Sequence, residues 1–147
     1  MRLLSRLVFS SVLLLVFGCG SSSTRPPGVA PADVTIRAAN RPFFGSGVTA
    51  PITLEVTVTN RANVPLTVRS IRVSSPNMVQ YAIRPEERFI NQTLQAGGSK
   101  TFNIPATAYA SSNALTPSEP LNIRADIDFE ASGQRFREMY NIRGISV

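Results

Sequence analysis

From residue 33 onward, apolar and polar side chains alternate with a period of two. At that spacing a β-strand buries one face and leaves the other in water. Val34, Ile36 and Ala38 alternate with Thr35 and Arg37. Ile52, Leu54, Val56 and Val58 alternate with Thr53, Glu55, Thr57 and Thr59, a β-branched run that suits a half-buried strand. Asn60, Arg61, Ala62 and Asn63 then read as a turn. The next strand starts with Leu66 and Val68 inward, but Ile71 and Val73 fall on the opposite parity. That one-residue phase change predicts a β-bulge at Arg69-Ser70, or a strand passing from one sheet to another. A weaker strand is expected over residues 78–83, ended by Pro85, and residues 89–94 fit no single pattern.

Gln95, Ala96, Gly97 and Gly98 predict a turn into a strand over 101–106 with Phe102 and Ile104 inward. Residues 109–120, rich in Ser, Asn and Pro, read as a loop. The cleanest alternation comes last, with Leu121, Ile123, Ala125, Ile127 and Phe129 set against Asn122, Arg124, Asp126, Asp128 and Glu130. Ser132-Gly133 turns the chain into a closing strand over 134–147, where Phe136, Tyr140 and Ile142 are the core candidates. No internal repeat or sustained helical period occurs in this part of the chain. The expected fold is all-β, one antiparallel β-sandwich of about seven strands over residues 33–147.

The N-terminus has a different grammar. Arg2 and Arg6 precede a mainly apolar run over residues 7–17, which ends at Gly18-Cys19. Its 11 residues match a signal-peptide core of roughly 7–15 and fall short of the ~20 that a spanning helix needs. Val16-Phe17-Gly18-Cys19 resembles the lipobox of bacterial lipoproteins. Gly18 and the cysteine match that pattern, and Phe17 departs from it at a position that is commonly small. The resemblance implies cleavage after residue 18 and a thioether-linked diacylglycerol on Cys19, with acylation of its amino group. Several acyl chains anchor stably where one does not. Gly20 follows rather than an aspartate, which favours the outer membrane, facing the periplasm. The alternative is an uncleaved signal anchor with an incidental cysteine. Residues 19–32, with their serines and Pro26-Pro27, read as a lipidated flexible tether.

Removing residues 1–18 takes Arg2 and Arg6 from the 15 basic residues and leaves 13 against 9 acidic, a formal charge of +4. Acids interleave with the scattered arginines, and no run of like charge occurs, so nothing marks a nucleic-acid footprint. The chain contains no histidine, and Cys19 is its only cysteine. That excludes Ser-His-Asp and Cys-His catalysis, disulfides, and the usual zinc and copper ligand sets.

Residues 54–68 (LEVTVTNRANVPLTV) resemble the strand–Asn-x-x-Asn–strand signature of the LEA type 2 (WHy) family of late embryogenesis abundant domains. Residues 93–105, with Gly97-Gly98 before Phe102 and Ile104-Pro105, are similar to that family's turn before a central strand. The final hairpin fits its end. The resemblance implies an immunoglobulin-like or fibronectin-III-like sandwich without a catalytic centre, linked to desiccation or envelope stress.

Few residues remain as candidates for chemistry. Glu86-Glu87 reads as a turn, and a carboxylate hydrolase would require these two in a deep cleft facing another acid. Asp126, Asp128 and Glu130 share one strand face and suit either calcium or cross-strand pairing with Arg135, Arg137 and Arg143. Pairing is the simpler expectation, with no metal or other cofactor beyond the lipid on Cys19. Arg41, Phe43 and Phe44 sit together in a loop, where exposed rings beside a guanidinium would anchor a partner; alternatively, a ring caps the sandwich. The loop at 109–120 is either a recognition loop or a plain connection. The expectation is a non-catalytic binding or structural module held on the bilayer, with a protein partner in the cell envelope. The alternative is an accessory, pilotin-like subunit of a secretion or surface-structure assembly.

Overall fold

The computed structural model describes residues 24–43, 49–76, 81–110 and 121–145. Eight strands lie among them: β1 (Asp33–Ala38), β2 (Thr49–Thr59), β3 (Leu66–Ser74), β4 (Tyr81–Ile83), β5 (Glu86–Leu94), β6 (Ser99–Ala110), β7 (Leu121–Ala131) and β8 (Gln134–Ile145). They form two four-stranded antiparallel sheets, ordered β1-β2-β6-β4 and β5-β3-β7-β8. The alternating positions face each other across the gap: Leu54, Val56 and Val58 of the first sheet against Val68, Ile71, Ile123, Ile127 and Phe129 of the second, all fully buried. The Phe129 ring sits 5.5 Å from that of Phe136. Removing these side chains from water is the main stabilising term in a domain without disulfides.

The phase change in β3 is a bulge. Pairing with both β5 and β7 slips between Val68 and Ser70, so Ile71 and Val73 return to the core. On β5 the compensating distortion falls at Asn91, which adopts φ 52, a left-handed conformation that asparagine tolerates. The β7–β8 hairpin closes through Ser132 (φ 51) and Gly133 (φ 74), and two successive positive φ values are what a type I′ turn requires.

The chain differs from its expected layout in four places. The region around Pro85 holds two strands: the Arg84 N–H still donates to the Thr107 carbonyl at 2.9 Å, then Pro85, lacking an N–H, ends that pairing and β5 begins on the other sheet. Glu86 and Glu87 therefore open an edge strand rather than a turn. Tyr109 and Ala110 belong to β6, because they pair with β2 and β4; the rest of the expected 109–120 loop is outside the described residues. Residues 24–32, read above as tether, pack on the sandwich, with Pro26, Val29 and Ala32 buried. The Val29 N–H bonds the Pro26 carbonyl at 3.2 Å.

The two resembling segments meet at one buried residue. Asn60 is 0% exposed, and its Nδ2 donates to the carbonyls of Val64 (2.8 Å), Leu94 (3.1 Å) and Gln95 (3.2 Å). Its Oδ1 accepts from the Ala62 N–H at 2.9 Å, and its own backbone exchanges bonds with Gly97 and Gly98. One side chain thus ties the turn after β2 to the turn before β6. Asn63 is exposed and makes no side-chain bond with any described residue.

Candidate functional site

The two outward faces of the sandwich carry different chemistry. On the first sheet, hydroxyls bond across strands: Thr57 to Thr101 at 2.8 Å and Thr59 to Ser99 at 2.9 Å. Arg37 pairs with Glu55 on the same sheet. On the second sheet a charged network crosses all four strands. Asp128 lies opposite Arg137, which donates from Nε at 2.7 Å and Nη2 at 2.8 Å. The buried Ser70 hydroxyl lies 3.0 Å from carboxylate oxygens of both Asp128 and Glu87. Glu130 is approached by Arg135 at 3.4 Å and Arg69 at 3.7 Å, and Asp126 by Arg124 at 3.0 Å.

The Arg137 guanidinium holds the Asp128 carboxyl below its ordinary pKa, against the opposing effect of burial, and Ser70 adds to the lowering. Reciprocally, Asp128 raises the Arg137 pKa. Burial pushes the Tyr140 phenol up, helped by its hydrogen bond to Glu138. Each of the three carboxylates that the sequence offered to calcium is therefore occupied by an arginine. Cross-strand pairing accounts for Asp128 and Glu130, whereas Asp126 is held by Arg124 of its own strand. Arg143, which was expected to join it, makes no ion pair with any described residue. Glu87 is exposed on the edge of the sheet and bonded to Ser70.

At the end of β1, Asn40 fixes the departing chain. Its Oδ1 accepts from the Thr53 N–H at 2.7 Å, and its Nδ2 donates to the Pro51 carbonyl at 3.3 Å. The chain then projects Arg41 and Phe43 outward. Phe43 is 85% exposed, so this ring does not cap the sandwich. Arg41 is exposed and makes no ion pair with any described residue. Phe44 and Cys19 are outside the described residues.

Two further exposed apolar side chains went unread in the sequence: Phe89 at 79% and Met139 at 54%. Both lie on the outward face of the second sheet, at opposite edges, on β5 and β8. The parity of Ile90, Gln92 and Leu94, counted inward, would have placed Phe89 outward.

No family model matches the chain, and no curated protein does. Solved structures do. A structural-genomics target designated SoR45 is 8% identical over 84% of this chain and 90% of its own, with a TM-score of 0.53. The Bordetella pertussis protein assigned as ApaA is 14% identical over 78% of this chain and 91% of its own, at 0.50. A late embryogenesis abundant protein, 10% identical over 78% of this chain and 73% of its own, superposes at only 0.38. At such identities the first two speak for the β-sandwich fold alone, and the third carries no weight.

Proposed function

We propose that this chain is a lipoprotein of the bacterial outer membrane, acylated at Cys19, whose sandwich is a non-catalytic module that binds a protein partner in the periplasm. The observation that carries the binding reading is Phe43. A ring 85% exposed, next to an arginine without an ion pair among the described residues, leaves apolar surface and free donors side by side. Aromatic residues and arginine dominate interface energetics, and burying such a ring repays about 1.5–3 kcal/mol. The anchor reading rests on residues 1–19. The stress-protective role implied by residues 54–68 and 93–105 specifies the biology to assay rather than the chemistry of the site.

Photo-crosslinking from position 43 in intact envelopes, followed by mass spectrometry, tests the partner claim. A stoichiometric product that disappears on replacing Arg41 supports it, and a machine component as that product moves the module to the accessory-subunit role. No product above the level obtained from an exposed threonine such as Thr101 refutes it. Cys19→Ser is expected to accumulate as unprocessed, unacylated precursor; normal processing of that variant would sink the anchor.

A further inference from the structure

Residues 24–32 run beside β8 as a strap, and this fixes where the chain enters the domain. Arg25 pairs with Glu138, the Tyr140 hydroxyl that bonds the same carboxylate lies 3.4 Å from the Ala32 carbonyl, and Val29 is buried. The strap and β8 border an open groove of about 560 Å³, lined by Thr24, Arg25, Pro31, Arg137, Met139, Tyr140 and Glu138, whose carboxylate is taken up by Arg25. Thr24 stands five positions beyond Cys19. An extended chain spans at most about 3.6 Å per residue, so Cys19 lies within roughly 18 Å of that groove. An undocked tether reaching from 19 to 32 would have allowed about 47 Å.

The surface at the entry point is distinctive. On the outward face of β8, Arg135, Arg137, Met139 and Asn141 lie opposite Glu130, Asp128, Asp126 and Arg124, and Arg143 extends the stripe beyond. The Arg135 and Arg137 side chains are 64% and 58% exposed despite their carboxylate partners on β7. Arg137 spends two of its five N–H donors on Asp128, which leaves others for a further acceptor. Met139 stands 54% exposed between Arg137 and Asn141 on the same stripe, opposite Asp126.

We infer that this groove and the β8 stripe form the face on which the domain rests against the anionic headgroup surface of the membrane that holds its acylated Cys19; the inference depends on the anchor reading above. Chain length brings this face, before any other, within reach of the bilayer. Guanidinium groups that retain free donors suit headgroup phosphates, and a flexible apolar side chain among them suits the headgroup–acyl boundary. Electrostatic attraction of this kind acts within a Debye length, about 8 Å at physiological salt, a distance well inside the roughly 18 Å that the short tether permits.

The test uses the acylated protein in vesicles of phosphatidylcholine with or without 30% phosphatidylglycerol (about that fraction suffices to set the surface charge). With Cys19 blocked by lipid, Met139→Cys carries the only reactive thiol and takes an environment-sensitive dye, as does Thr101→Cys on the outward face of the other sheet. In anionic vesicles a headgroup-located quencher is expected to quench position 139 several-fold more than position 101. High salt or Arg143→Glu narrows the difference. Asn141→Cys, on the same stripe, serves if the first variant folds poorly. Equal quenching at both positions, or shielding of 139 that follows protein concentration instead of lipid charge, overturns the inference. The mass of Cys19 in the same sample separates the two claims. An unacylated Cys19 removes the anchor and this face with it, whereas an acylated Cys19 with equal quenching removes the face alone.

Discussion

Replacing Asn60 by alanine tests the one place where the two turns are tied together. The variant loses three donor contacts, to Val64, Leu94 and Gln95, and the acceptor for the Ala62 N–H. An intramolecular hydrogen bond is worth about 0.5–1.5 kcal/mol net, and a buried group left unpaired costs about 1–3 kcal/mol. The contacts to Leu94 and Ala62 are buried, while the other two are partly reached by water. A loss of about 3–4 kcal/mol follows, a large fraction of the roughly 5–15 kcal/mol that holds such a domain together. In thermal unfolding this reads as a fall in Tm of roughly 10–15 °C. The exposed Asn63 is the internal control, and Asn63→Ala should stay within about 0.5 kcal/mol. A loss below about 1 kcal/mol for Asn60→Ala, or equal losses for the two asparagines, would refute the buried-tie account.

Asn60→Asp sharpens the same point. It places a carboxylate against three carbonyl oxygens, an arrangement that favours the protonated acid and raises the folded-state pKa above the unfolded value of about 3.9. For a raised acid the folded state binds more protons, so stability relative to wild type must recover as pH falls through the raised value. A deficit that does not shrink on acidification contradicts this geometry.

The remaining predictions concern the charged face, the core and the tip. Arg137 depresses the Asp128 pKa, so the pair stabilises the fold above the unfolded-state value of about 3.9, and this contribution disappears as pH falls through the lower folded value. The stability gap between wild type and Asp128→Asn, followed by urea titration, should therefore be constant at neutral pH and close in acid; a gap that widens in acid reverses the assignment. At this part-exposed site it should not exceed about 1 kcal/mol at neutral pH. Phe129→Ala, at a fully buried position beside Phe136, is expected to cost about 3–5 kcal/mol by the same titration. Phe43→Ser should leave stability within about 0.5 kcal/mol of wild type while lowering co-purification of the partner that the crosslink from position 43 identifies, and a large stability loss would show that the ring packs.

Where one face was buried and the other wet, the pattern along the chain was legible. The strands β2 and β7 appear in the sequence as unbroken alternation because each is central in its sheet, with one partner on either side. Even the bulge in β3 was visible, since a phase slip in the apolar set has few other causes. Edges were harder. On β5 only Leu94 is buried, and three of the positions that alternate with it are Gln92, Arg88 and Glu86, so an apolar alternation never forms. The strap was invisible for another reason. Pro26, Val29 and Ala32 owe their burial to the distant β8, and nothing local in a Pro- and Ser-rich segment signals that contact. The paired asparagines marked a turn and read as equivalent along the chain, whereas only Asn60 is buried. Of the candidate site, Phe43 could be named in advance, while Met139 needed the register of β8 to place it beside the strap.

What the sheets do with their own polar groups narrows where a partner can bind. On the first sheet the outward hydroxyls are matched with each other, and on the second the outward carboxylates are matched with arginines, so both faces offer few unsatisfied groups at their centres. Sheet edges are the usual alternative, because unpaired backbone groups there accept an added strand. Here β4 is only three residues long, β8 is flanked by the strap, and β5 begins with Glu86, Glu87 and Arg88 and kinks at Asn91. Charge and irregularity of this sort discourage strand addition. The edge β1 is six residues long, with Arg37 held to Glu55. By exclusion, recognition falls to the tip at Arg41 and Phe43. The prediction is then specific: Phe89→Ser on the β5 edge should leave the crosslink from position 43 intact, whereas Arg41→Gln should weaken it. The opposite result would move the partner from the tip to the edge.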